Sequence, residues 1–167
     1  HYNLGAVQKK LGEFEEAKKS FKTALTIKPN YSEAKHLLNG LIGFTSKAPP
    51  REYVKNLFDS FAVRFDDTLI NKLEYKLPFI VNKIIPKLNP DRKTFDKVID
   101  LGCGTGLSGK GLKVLSGNLT GIDLSENMIS KAKKLNIYDN LVIGDIVETL
   151  NSSKDRYDLL IALDVLI

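Results

Sequence analysis

Cysteine is nearly absent from this chain of 167 residues: Cys103 stands alone. One thiol closes no internal disulfide, so a reducing, cytoplasmic setting is expected. Long apolar runs are missing as well. None approaches the ~20 residues that span a bilayer, and no basic stretch followed by an apolar one opens the chain as a secretory signal would. No membrane association is expected. Imidazole is scarce. His1 has the chemistry of a copper ligand, but a site needs a second ring, and the only other one, His36, lies in a helical pattern. No metal site is therefore expected. Methionine occurs once, at Met128, and the chain stops inside the apolar stretch Asp158 to Ile167. The expectation is a fragment of a longer protein, inactive by itself and prone to associate.

Basic residues exceed acidic ones by five, and the pI is near 9.2. The excess lies upstream: residues 91–167 carry ten basic and eleven acidic side chains. A lysine-rich helical face without a nucleic-acid motif reads as a solvated face, so no nucleic-acid partner is expected.

Residues 1–44 read as helices. Leu4, Val7 and Leu11 recur at helical spacing, and Gly12 breaks the pattern. Phe14, Ala17, Phe21, Ala24, Leu25 and Ile27 form the apolar face of a second helix that Pro29 ends. Leu4-Gly5 followed by Ala17, Phe21, Ala24 and Pro29 resembles the tetratricopeptide repeat. The resemblance implies two helices brought close by small residues, with Phe21 between them, and a protein or peptide partner for the repeat. Ser32-Glu33-Ala34 with Leu37, Leu38 and Leu41 reads as a third helix. Residues 45–50 form a polar, proline-bearing linker. Residues 51–90 read as a helical lead-in that packs on the next domain. Its stripe is Tyr53, Val54, Leu57, Phe58, Phe61 and Phe65, followed by Leu69, Leu73, Leu77, Phe79-Ile80, Ile84-Ile85 and Leu88. By analogy, Phe61 and Phe65-Asp66 are candidates for a lid over a ligand site.

From residue 91 strands and helices alternate, which implies a parallel sheet with right-handed crossovers. Strands are expected at 97–101, 119–124, 141–143 and from Tyr157 to Leu163 or beyond. Helices are expected at 107–115, 126–135 and 146–150, with Ser125 as an N-cap. Little alternation within the strands fits burial on both faces.

Chemistry concentrates after the first strand, in Asp100-Leu101-Gly102-Cys103-Gly104-Thr105-Gly106. Glycines let the backbone turn tightly and a ligand lie against it, and a following helix would aim its N-terminus at that ligand. Gly104-x-Gly106-x-x-Gly109 also matches the dinucleotide fingerprint, although Gly109 would then fall well inside the expected helix. Asp123, at the end of the second strand, can accept both ribose hydroxyls of either cofactor class. Asp145, past the third strand, can accept an adenine amine, and the amide of Ile146 can reach a ring nitrogen. Cys103 has no histidine near it in sequence and reads as a small buried residue rather than a nucleophile.

Motif, acids and strand phrases together resemble class I S-adenosylmethionine-dependent methyltransferases over about residues 96–167. Leu57-Phe58-Asp59-Ser60-Phe61-Ala62, then Phe65-Asp66, looks like the lead-in of bacterial members fused to tetratricopeptide repeats. The implied architecture is α/β: all-α repeat helices, then a truncated Rossmann-like parallel sheet. The implied cofactor is S-adenosylmethionine, with S-adenosylhomocysteine as product. The resemblance implies that Asp100 helps hold the methionine end, with Gly102, Cys103, Gly104 and Gly106 in the loop against it. It implies that Asp123 takes the ribose, Leu124 and Met128 flank the adenine, and Asp145 and Ile146 address its edge. Ala162 and Leu163 would sit near the amino acid moiety, and Asp164 is a candidate proton acceptor. No catalytic residue is assigned. An NAD-dependent oxidoreductase and a non-catalytic repeat scaffold remain the alternatives.

Overall fold

The computed structural model describes residues 1–44, 48–163 and 165. Residues 45–47 of the expected linker and the candidate acceptor Asp164 lie outside the described residues. The chain divides into two compact units, 1–56 and 57–167.

The first unit holds α1 (Tyr2–Lys10), α2 (Phe14–Ile27), α3 (Ser32–Leu41) and the start of α4 (Arg51–Phe61). Gly12, at φ +81°, makes the turn between α1 and α2. Helix α2 buries Ala17, Ser20, Phe21 and Ala24, one face at three- and four-residue spacing. The Leu4, Val7, Leu11 stripe does not face this core: all three are at least half exposed, as are Phe14 and Ile27. Gly5 decides which way α1 is turned. A methyl group there would stand 2.8 Å from Cε1 of the fully buried Phe21, so only glycine lets the ring lie flat against α1. Tyr2 joins on the same side, its ring 6.0 Å from that of Phe21, and the Ser20 hydroxyl donates to Gln8 at 2.7 Å. Residues 51–56 also differ from expectation, because they contact this unit. The Tyr53 ring lies 4.5 Å from that of His36, and Asn56 Nδ2 donates to Glu33 at 2.6 Å.

In the second unit α4 gives way to an irregular run. A 3-10 turn (Ala62–Arg64), the single turn α5 (Phe65–Asp67) and a π turn (Thr68–Lys72) precede α6 (Leu77–Leu88). Then follow β1 (Phe95–Leu101), α7 (Gly109–Leu112), β2 (Ser116–Asp123), α8 (Glu126–Lys134), β3 (Asn140–Ile143), α9 (Ile146–Ser152) and β4 (Leu159–Ala162). All four strands are parallel, in the order β3-β2-β1-β4. The crossovers from β1 through β3 step outward on one side and β4 adds on the other. The connections after β1 and after β3 therefore run in opposite directions, which makes the carboxyl edge beside β1 a topological switch point.

Burial on both faces holds for the central strands: Val98, Ile99 and Asp100 of β1 and Leu119 to Ile122 of β2 are consecutive buried residues. Outer strands β3 and β4 are only partly covered. Val98, Leu112, Leu115, Leu119, Phe95 and Ile85 form the core of this unit. Of the apolar lead-in, only Val81 and Ile85 pack on that core, whereas Leu73, Phe79 and Leu88 are exposed. No described helix is long and apolar enough to cross a membrane.

Phe21→Ala should destabilise the first unit by about 3–5 kcal/mol, because the ring is fully buried and α1 cannot refill the space with Gly5. Urea unfolding followed by circular dichroism measures the loss.

Candidate functional site

The chain leaves β1 at Leu101 and turns on three glycines. Gly102, Gly104 and Gly106 have φ of +67°, +54° and +91°. Other residues reach this left-handed region at roughly 1–2 kcal/mol each, so the alternate glycines specify the shape of the loop. The Cys103 amide donates to the Ile122 carbonyl and the Gly106 amide to the Cys103 carbonyl, both at 2.9 Å. The Gly104 amide donates to Asp123 Oδ2 at 2.9 Å. The loop is thus tied to the end of β2. The helix after it begins later than expected, at Gly109 rather than Leu107, and it is one turn long. Gly106 is left-handed and so outside any helix, while Ser108, with helical φ and ψ of −66° and −39°, is the N-cap. Gly109 therefore opens the helix, and its position does not separate the two glycine registers.

Asp100 sits beneath the loop at 1% exposure. Its Oδ2 accepts the Ser108 hydroxyl at 2.6 Å and the Tyr138 hydroxyl at 2.7 Å. Through these bonds the carboxylate braces the loop from below. Burial raises its pKa, against the two hydroxyl bonds that lower it. Tyr138 had no sequence signal. Its ring lies where side chains on Gly106 and Gly121 would be, at 3.1 and 2.8 Å from their Cβ positions, so it forms the floor under the loop. A tyrosine 38 residues from its acid carries no local pattern, and only the fold brings the two together.

Asp123 is half-buried at the end of β2. Its Oδ1 accepts the Ser125 amide at 2.8 Å, and its Oδ2 accepts Gly104. Burial raises its pKa, these amides oppose the rise, and the nearby Asp59 carboxylate adds to it. The Ser125 and Gly104 amides, with the Leu124 amide also lowering the pKa, leave part of the carboxylate's roughly four lone-pair directions for a hydroxyl donor. Ser125 caps α8 as expected, accepting the Met128 amide at 3.1 Å. Met128 itself is 1% exposed. Its side chain is part of the core, whereas Leu124 on the same loop is partly exposed. Asp145 caps α9 through the Glu148 amide at 3.0 Å, with Ile146 beside it at the end of β3. Ala162 and Leu163 lie at the end of β4, on the other side of β1. Cys103 is buried, and burial pushes its thiol well up, away from a nucleophilic thiolate. A groove of about 670 Å³ lies elsewhere, between α8 and β3, and does not include the glycine loop.

The lead-in crosses this site. Asp66 accepts the hydroxyl of the buried Thr105 at 2.5 Å, and Phe65 lies 3.7 Å from the Cβ position of Gly104. Asp59 accepts the Ser125 hydroxyl at 2.5 Å and the Asn127 amide at 3.1 Å.

Residues 98–167 match the family model of a methyltransferase domain, and residues 1–31 match that of the tetratricopeptide repeat. The second unit has the Rossmann-like class I methyltransferase fold. Magnesium protoporphyrin IX methyltransferase from Synechocystis PCC 6803 with bound S-adenosylmethionine is similar at TM-score 0.57 and 23% identity, over 74% of this chain and 66% of that one. Its form with bound S-adenosylhomocysteine gives 0.56 and 23%, over 70% and 59%. The plantazolicin methyltransferase BpumL in complex with S-adenosylhomocysteine gives 0.50 and 25%, over 65% and 46%. The chain thus spans about three-fifths of the length of the Synechocystis enzyme. No curated protein matches it.

The raised pKa of Asp100 has a consequence for stability. A carboxyl that titrates higher when folded contributes most when protonated, and that contribution falls as pH climbs from the unfolded value, ~3.9, through the folded one. Asp100→Asn keeps an acceptor for Ser108 and Tyr138 without the buried charge. It should be more stable than the parent at pH 7, with the advantage shrinking as pH falls toward 4. Urea midpoints of both proteins across this range check it.

Proposed function

We propose that the second unit binds S-adenosylmethionine along the carboxyl edge of its sheet and is the donor-binding part of a methyltransferase. We further propose that the helical first unit serves protein or peptide recognition. The observation that carries the cofactor reading is electrostatic. Asp66, Asp100 and Asp123 all lie within or against the loops after β1 and β2, and their described bonds come from hydroxyls and backbone amides. Hydrogen bonds from neutral donors do not cancel carboxylate charge. A dinucleotide would bring its pyrophosphate into this acidic surround, whereas a sulfonium cation with an ammonium group meets the opposite sign. The loop also leaves room for a ligand to lie against its backbone. Gly104 leaves open space at its Cβ position except on the Phe65 side.

On this reading Asp123 takes the ribose hydroxyls with its remaining lone pairs. Leu124 covers one face of the adenine, and Asp145 with the Ile146 amide addresses its edge. The Gly102–Gly106 backbone lies along the methionine end, near Ala162 and Leu163. The cofactor supplies a methyl group already activated on a positively charged sulfur. The protein then has to hold that group in line with an acceptor and keep water out, and such positioning can be worth roughly 7–11 kcal/mol.

Calorimetric titration of the folded chain with S-adenosylhomocysteine, with NAD as comparator, tests the reading. Saturable binding of S-adenosylhomocysteine is expected. Asp123→Ala should weaken it by roughly tenfold or more, since hydrogen bonds to a charged group carry about 1.5–3 kcal/mol. Preference for NAD would overturn the assignment.

A further inference from the structure

The two acids of the lead-in are not explained by core packing. Of residues 57–67 Ala62 alone is fully buried, and Leu57 and Val63 are 49% and 85% exposed. Yet the segment reaches both ligand-facing loops with side chains of the right length. Asp66 meets Thr105 in the middle of the glycine loop. Asp59 meets Ser125 and Asn127 at the first turn of α8, and Asn127 Nδ2 returns a bond to the Asp59 carbonyl at 3.1 Å. Lys131 Nζ donates to the Val63 carbonyl at 3.2 Å between these two points. Phe65 stacks edge-on with Phe58 and Phe61, at 6.5 and 5.5 Å between ring centroids, and lies against Gly104. The helix breaks into 3-10, α and π turns across this stretch.

We propose that Asp59 and Asp66 are positioning residues of a strap, residues 57–67, which sets the glycine loop and the post-β2 loop in their ligand-binding shape. Thr105 lies between two left-handed glycines, and glycine-rich backbone has more conformations to lose than any other. A bond at its midpoint removes that freedom before a ligand arrives, and preorganisation of this kind raises affinity by lowering the ordering cost. The effect on affinity rests on the cofactor reading above. The effect on loop order does not.

Two readouts separate the two ideas. Amide hydrogen exchange of the ligand-free protein reads loop order. In Asp66→Ala the amides of 104–108 should exchange faster, and in Asp59→Ala those of 125–128, while β1 and β2 amides are unchanged. Calorimetry with S-adenosylhomocysteine reads affinity. Asp66→Ala and Thr105→Val should each weaken binding roughly tenfold, and the double variant should be no weaker than either alone, because one bond is lost in all three. Asp66→Asn, which keeps an acceptor, should recover most of the affinity. Unchanged exchange at the loops overturns the strap, and so do additive effects in the double variant. A parent chain that ignores S-adenosylhomocysteine overturns the cofactor reading, and the strap then stands or falls on exchange alone.

Discussion

Left-handed backbone at Gly102, Gly104 and Gly106 is the constraint around which the second unit is arranged. Such a loop has no side chains of its own to fix it, apart from Cys103 and Thr105. It must be held from outside on every side. Asp100 and Tyr138 hold it from below, through Ser108 and through the ring that fills the glycine gaps. Asp123 holds it from β2 through the Gly104 amide. Asp66 holds it from the lead-in through Thr105. Each support comes from a different element, so the loop's shape reports on whether the whole unit has folded.

The order of the strands makes this possible. β1 is central, with β2 on one side and β4 on the other, so the loop after it emerges where connections diverge. Asp123 ends the neighbouring strand in register, with Ile122 opposite Leu101. The Asp145 turn follows one strand further on, tied in by the Gly144 amide to the Asp123 carbonyl at 2.9 Å. Three acids one strand apart along an edge follow from parallel pairing with equal stagger, and in an antiparallel sheet alternate loops would fall at opposite ends.

Much of this was legible from residue order alone, because it rests on local rules. Runs such as Val98-Ile99 and Gly121-Ile122 mark doubly buried strands, alternate glycines mark a forced turn, and serine before an acidic turn marks a helix start. What was not legible depends on contacts far apart in sequence. The outward turn of Leu4, Val7 and Leu11 follows from one close approach, Gly5 to Phe21, that outweighs the apolar stripe. Tyr138 under the loop, Asp100 facing inward and Met128 in the core are likewise decided by packing across elements. The later helix start at Gly109 reflects the left-handed turn at Gly106, whose reach beyond the glycines the helix propensity of Leu107 and Ser108 does not reveal.

The electrostatics of the site follow from the same brace. Burial lifts the pKa of Asp123 and of Asp100, and each is close enough to another carboxylate for repulsion to add to that rise. A folded protein gains nothing from crowding acids this way, since each buried charge costs desolvation that hydroxyl and amide bonds only partly offset. The arrangement makes sense if the missing favourable term arrives with a ligand. A cation placed among these groups would draw both pKa values back toward the ordinary carboxylate range, and by linkage the carboxylates would tighten their hold on the cation by the same free energy. A pyrophosphate would push them further up, so its binding would take protons up, whereas a cation's binding would release them. The sign of proton exchange on binding is thus set by ligand charge, which makes the acidic brace a more discriminating feature of this loop than its glycines.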